Sequence, residues 1–280
     1  GFPFTNGIIL TTGKTINTIG PNASLSDDGG NMGWNGDPDL NQALGLTNTF
    51  NATVLEFEFT PLSPYFSFDF LFASEEYGNF QCQFSDAFAF LLTDMVTGTT
   101  TNLAVVPNTN APISVVTIRD YLYNSTCPSV NEQYFGRYNG GNNASNAPVN
   151  FNGQTVLMSA SSTLIPNHSY KIKLVIADRG DYKSDSAIFI ASESFNIGQD
   201  VLGPNLTVAN HTAICGGTTA TIPSGLNPAS YTFEWKRNGV VLNGENGPNL
   251  TISTQGTYEL VYTSIAFPCQ QVSDSIVVEF

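Results

Sequence analysis

Positive charge is scarce in this chain. Among 280 residues, 9 Lys and Arg stand against 23 Asp and Glu, for a net charge of −14. Such a surface repels a phosphate backbone, so nucleic acid is excluded as an expected partner. It keeps the chain soluble and attracts divalent cations. Histidine is nearly missing: His168 and His211 are the only two, too few for a zinc or copper centre. No run of about 20 apolar residues is present to span a bilayer, so direct membrane insertion is not expected. Absent too are a Gly-x-Ser-x-Gly elbow, a phosphate loop and a dinucleotide fingerprint. No long stretch repeats apolar residues with the helical period. With 20 Phe, 11 Tyr and 25 Gly in their place, the chain reads as all-β.

Cysteine is sparse but even in number: Cys82, Cys127, Cys215 and Cys269, with no C-x-x-C spacing. That pattern favours disulfides in an oxidising compartment over a zinc site. We expect Cys82–Cys127 and Cys215–Cys269, because each pair then stays within one domain. The chain begins at Gly1 without a charged and apolar leader, which is expected of a processed protein or a segment of a longer one.

The most informative stretch runs from Tyr65 to Thr93. Phe66, Phe68, Phe70 and Phe72 alternate with Tyr65, Ser67, Asp69 and Leu71, and Phe88, Phe90 and Leu92 repeat the pattern. Period two marks strands with one apolar face, and we expect the two to form a hairpin at the centre of a sheet. Between them lies the acidic turn Ser74-Glu75-Glu76-Tyr77-Gly78-Asn79.

FASEEYGNF followed by SDAFAFLLT resembles the core of the choice-of-anchor L domain. GIILTTG (7–13), LAVVPNT (103–109) and IADRGDYKSDSAIFI (176–190) agree with it in order. The resemblance covers roughly residues 1–198. It implies a secreted or surface-exposed, adhesin-like bacterial module exported by the type IX route, with no ligand or catalytic residues to carry over. It also implies that a further N-terminal portion precedes Gly1.

In chain order, Ile8–Leu10 is a short strand. Residues 21–45 read as a loop carrying Asp27, Asp28, Asp37 and Asp39; Asp39 is expected to cap a short helix with Leu40 and Leu44, the alternative being a loose calcium site. Val54–Thr60, 102–106, 113–118, Thr155–Ser159, Ser169–Ala177 and Ala187–Ala191 read as strands, with Lys171 and Lys173 on an outer face. Residues 120–153 form a long Asn-, Gly- and Tyr-rich insertion. Tyr121, Tyr123, Tyr134 and Tyr138 are the expected glycan-binding residues there, against the alternative of a self-packed loop pinned by Cys127. After a linker at 199–204, residues 205–280 show short, regularly spaced strands. Trp235, Asn238-Gly239 and Gly256-Thr257-Tyr258 resemble an immunoglobulin- or PKD-like repeat, with Tyr258 as tyrosine corner. The expected fold is therefore a lectin-like or jelly-roll β-sandwich (1–198) followed by a small immunoglobulin-like sandwich (205–280).

Two acidic turns carry the expected metal site. Glu75 and Glu76 follow one core strand and Asp86 opens the next; Asp178, Asp181 and Asp185 follow another. If the strands ending at Ala73 and Ala177 are neighbours, these carboxylates crowd together and need neutralising. Calcium, which accepts six to eight oxygens, is the expected ion; salt bridges to Arg179 and Lys183 are the competing reading. Asp185-Ser186-Ala187 and Asp274-Ser275-Ile276 resemble the bacterial Asp-Ser/Thr-aliphatic O-glycosylation motif, which makes Ser186 and Ser275 candidate sugar acceptors.

The resulting functional reading is a non-catalytic extracellular adhesin module, glycan-binding and calcium-stabilised. Its expected partners are cell-surface or environmental glycans. The alternative is a spacer in a surface filament, whose partners are neighbouring copies of itself. A glycoside hydrolase using Glu75 or Glu76 with Asp178 or Asp181 ranks below both.

Overall fold

The computed structural model describes residues 2–28, 33–61, 65–195, 197, 201–229, 231–265 and 271–280. It is all-β, with 41% strand and 10% helix. The chain divides into two compact units, the first made of 1–59, 66–162 and 168–195 and the second of 60–65, 163–167 and 196–280. Of the expected linker at 199–204, residues 199 and 200 lie outside the described set, and Val201 and Leu202 are buried in the core of the second unit.

In the first unit the strands are β1 (Gly7–Thr11), β2 (Thr49–Phe59), β3 (Tyr65–Ser74), β4 (Ala87–Asp94), β5 (Thr99–Asn102), β6 (Phe135–Tyr138), β7 (Gly153–Thr155), β8 (Met158–Thr163), β9 (Tyr170–Arg179) and β10 (Ser186–Ala191). One antiparallel sheet runs β1-β10-β3-β7-β6, with β8 also on β3; another runs β2-β9-β4-β5. The expected β3–β4 hairpin does not form. The two strands lie in opposite sheets and meet face to face, with ring centroids 4.9 Å apart for Phe68–Phe90, 4.8 Å for Phe70–Phe90 and 4.9 Å for Phe72–Phe88. Alternation specifies a buried face; it does not say whether the next strand pairs alongside or packs across.

The outer faces are covered too, so few of these strands alternate with solvent. On β4 the large Phe88 and Phe90 fill the inter-sheet core. The small Ala87 and Ala89, with Leu91, lie on the other side beneath Leu40 and Leu44 of helix α1 (Pro38–Leu44). Helix α1 starts where Asp37 accepts a hydrogen bond from Leu40 N at 2.9 Å, with Pro38 at the first helical position, and ends at Gly45 with φ 67°. The cap is thus Asp37, not the expected Asp39. On the other sheet Leu71, Ala73 and Ala187 pack with Val149 and Phe151. Removing one inter-sheet Phe, such as Phe68→Ala, should cost about 3–5 kcal/mol.

Apart from Asn102, the last residue of β5, residues 102–106 and 113–118 are not ladder strands. One isolated bridge, Val105–Pro112, joins these stretches, yet Leu103, Ala104, Val106, Ile113, Val115 and Ile118 are all buried. Their apolar content reflects burial in a looped segment punctuated by Pro107 and Pro112. Lys173, expected outside, is buried on β9 and pairs with both Asp37 and Asp39 at 2.7 Å.

In the second unit β11 (Ala220–Pro223) pairs with β14 (Asn249–Ile252). A four-stranded sheet runs β13-β12-β15-β16, made of β12 (Tyr231–Arg237), β13 (Val240–Val241), β15 (Gly256–Ser264) and β16 (Gln271–Val278). Trp235, Tyr258, Leu260 and Ile276 form its core. Tyr258 Oη donates to Thr254 O at 2.6 Å, and Trp235 Nε1 donates to Gly247 O at 2.9 Å. Near the start of this unit Leu206 makes a single isolated bridge to Val278.

Candidate functional site

Two crossovers lie side by side at one end of the first unit. Across β3 and β10, Ser74 opposes Ser186; across β4 and β9, Ala87 opposes Ala177. The chain passes between sheets through residues 75–86 and returns through 180–185 at the same end. The expectation that the strands ending at Ala73 and Ala177 are neighbours is therefore corrected, since they belong to different sheets. The two acidic turns still meet, because each crossover joins one member of the two strand pairs.

Glu75, Glu76, Asp86, Asp178 and Asp185 all converge here, each with 3% or less of its surface exposed. Asp181 does not join them: it is exposed, and its Oδ1 accepts from Lys183 N at 2.9 Å in a local turn. Arg179 and Lys183, the expected counter-ions, are exposed, and the ion pairs among the described residues involve neither of them nor any of the five buried carboxyls.

One side of each carboxyl is held by a neutral donor. Ser26 N donates to Glu75 Oε1 at 2.8 Å, and Asp86 N to Glu76 Oε2 at 2.7 Å. Ser26 Oγ and Asp28 N donate to Asp185 Oδ2 at 2.8 and 3.1 Å. Asn51 Nδ2 donates to Asp178 Oδ2 at 2.6 Å, and Arg179 N to Asp86 Oδ1 at 3.3 Å. The other oxygens, Asp86 Oδ2, Asp178 Oδ1 and Asp185 Oδ1, are buried with no hydrogen-bond partner, as is the hydroxyl of Ser186. Ser186 faces the Asp86 carboxyl without a hydrogen bond of normal geometry.

Burial dominates the acidity of the group. It pushes Glu75 up to about 7, and it pushes Glu76 up to about 8 with added repulsion from Asp178 and Asp181. Asp178 rises to about 7, again chiefly by burial. Asp86 and Asp185 rise for the same reason, reinforced by neighbouring carboxylates. Among the described residues, no three His, Cys, Asp or Glu side chains are gathered tightly enough to form a ready-made metal cage.

Several residues that build this centre carry no obvious signal in the sequence. Asn51 sits at an irregularity between Phe50 and Thr53 on β2, with φ 51°. That conformation is tolerated by Asn, and a bulge re-aims a side chain; here it turns the Asn51 amide onto Asp178. Gly13 has a clearer signal within GIILTTG: a Cβ there would collide with the Asp185 carboxylate. Asn152 Nδ2 donates to Glu75 O at 2.7 Å, and Asn22 Nδ2 to Asn152 Oδ1 at 3.1 Å, so the 120–153 insertion and the N-terminal segment are knitted to the same turn.

Within that insertion Tyr123 and Tyr138 stack on each other at 4.5 Å, and Tyr123 also meets Phe135 at 5.4 Å. Two of the four expected glycan contacts are thus spent partly on internal packing; Tyr121 is 52% exposed, and Tyr134 is half-buried. The Cys82–Cys127 disulfide forms and ties the insertion to the acidic turn. Cys215 is exposed, and Cys269 lies outside the described residues. Ser186 is fully buried within β10, which leaves no space for a sugar and corrects that expectation; Ser275 is exposed. A cleft of about 500 Å³ lies elsewhere, lined by residues that include Asp39, Gln42, Leu91, Met95, Lys171 and Lys173.

A family model described as the Choice-of-anchor L domain matches residues 1–196. No curated protein and no solved structure matches the chain.

Proposed function

The chain belongs to the choice-of-anchor L domain family, whose members are modules of bacterial surface-anchored or secreted proteins; from that premise we propose that it is a non-catalytic adhesin module that binds glycans and is stabilised by calcium. The observation that carries the adhesive reading is the long insertion clamped by Cys82–Cys127 against a rigid sandwich end. Loops held on a rigid scaffold are where binding groups are displayed. The stacked Tyr123 and Tyr138 stiffen this loop, while Tyr121, Tyr134 and its Asn side chains offer aromatic faces and paired donors and acceptors to a sugar. In this reading residues 205–280 are an immunoglobulin-like repeat with Tyr258 as its corner, Ser275 carries an O-linked sugar, and export follows the type IX route.

A glycan array probed with the purified chain tests the adhesive part. Binding to a defined glycan that falls at least tenfold in Tyr121→Ala/Tyr134→Ala, at an unchanged melting temperature, is the expected result. An array without binders, together with end-to-end assembly of the purified chain, replaces this reading with the filament spacer. Release of reducing sugar from a polysaccharide panel replaces it with a glycoside hydrolase.

A further inference from the structure

We infer that the acidic centre is a calcium staple whose ligands are the unpartnered oxygens of Asp86, Asp178 and Asp185, with Glu76 and the Ser186 hydroxyl completing the shell. The inference deepens the calcium part of the proposed function and is independent of the glycan part.

Five carboxyls are buried at one place, and no Lys, Arg or His side chain pairs with them among the described residues. Buried like charges are strongly unfavourable unless neutralised by protons or by a cation. Protons alone do not satisfy the geometry. A protonated carboxyl is a donor that needs an acceptor, yet Asp86 Oδ2, Asp178 Oδ1, Asp185 Oδ1 and Ser186 Oγ make no hydrogen bond of normal geometry, the hydroxyls of Ser186 and Thr12 only facing the Asp86 and Asp178 carboxyls. A cation coordinated by these oxygens satisfies the charge and the orphaned lone pairs together.

The donor set selects the ion. Every candidate ligand is oxygen, with no sulfur or imidazole, which points to a hard cation. The ligands come from irregular crossover segments and a strand end, a setting that suits the adaptable coordination of calcium more than the near-ideal octahedron demanded by magnesium. Because no preformed cage exists among the described residues, binding would include a rotation of the carboxylates toward one another. The backbone stays fixed by the β3–β10 and β4–β9 ladders on either side. Asp181, exposed and turned to Lys183 N, is outside the shell.

The consequence is mechanical. Asp185 receives hydrogen bonds from Ser26 and Asp28, Asp178 from Asn51, and Asp86 immediately precedes β4. One ion would therefore fasten the N-terminal segment, β2 and both crossovers, the same end that holds the insertion through Asn152 and Glu75.

The test uses the whole chain, stripped with chelator and titrated with calcium chloride by calorimetry, alongside melting in chelator, calcium and magnesium. We expect calcium binding and a melting temperature raised by about 5–10 °C at roughly a hundredfold excess over the dissociation constant. Asp86→Asn and Asp178→Asn should each abolish the calcium shift and melt no lower than wild type in chelator, since each removes an uncompensated charge. Asp181→Asn should keep the shift. Titration of the wild type decides even if a variant fails to fold. Equal melting in chelator and millimolar calcium, with no binding heat, overturns the inference. An equal response to magnesium overturns the assignment to calcium, and a shift lost in Asp181→Asn overturns the ligand set. A negative glycan array leaves all of these outcomes unchanged.

Discussion

Two acidic groups in the first unit are built by opposite rules. Around Lys173, Asp37 and Asp39 share one ammonium at 2.7 Å each. The Lys173 hydrogen bond holds Asp39 below its ordinary acidity range. Burial alone would lower Lys173, but the hydrogen bonds and charges of Asp37 and Asp39 keep it raised. Around Asp178, five carboxyls are buried with no such partner, and all five rise. The first group is complete within the described residues; the second is complete only with protons or a bound cation. Acid content does not separate the two. The presence of a counter-charge does.

The comparison breaks most severely if the lysine is removed. Lys173→Met leaves Asp37 buried without its partner, a change that typically costs about 3–5 kcal/mol. Denaturant unfolding of this variant should show a loss near that size. A loss below about 1 kcal/mol would mean that the pair is not a structural element.

The next effect is the pH dependence of the chelator-treated protein. Glu75 rises from 4.5 to about 7 on folding. A carboxyl raised in this way contributes stability that is full below its unfolded value and lost as pH climbs through its folded value. Without divalent cations, stability should therefore fall between about pH 5 and pH 8, by roughly 2–3 kcal/mol for this group. Asp39, which is lowered, works in the opposite direction and adds a small loss at acid pH. A flat melting temperature across that window in chelator contradicts the buried, unpaired reading.

Asparagine at matched positions sharpens the contrast. Asp178→Asn in chelator should stabilise by about 1 kcal/mol, because a repelled charge goes while the side-chain volume stays. Asp37→Asn should destabilise by about 1–2 kcal/mol, since it removes half of a buried pair and weakens a helix cap. Equal signs would erase the distinction. The smallest effect is Asp181→Asn, an exposed substitution expected to lie within about 0.5 kcal/mol of wild type.

Much of this was legible in the sequence. Aromatic alternation located the core strands, the acidic turns located the centre, and Cys82 paired with Cys127 as domain economy required. What alternation could not encode was partner choice. Phe68 and Phe90 read the same whether their strands pair or face each other; the long connection from Glu75 to Asp86 was the available clue, being longer than hairpin turns usually are. Lys173 read as outward because its strand alternates, but helix α1 covers that face. Asn51 was invisible because its role depends on a bulge, and Ser186 read as a modification motif because burial is a tertiary property.

The central claim is that a calcium ion completes the acidic centre. The most direct measurement is a crystal structure of the chain grown with calcium. The account predicts a density peak bonded to Asp86, Asp178 and Asp185 oxygens at about 2.3–2.6 Å. Carboxyls bonded only to water or to one another, with no cation between them at millimolar calcium, would contradict it.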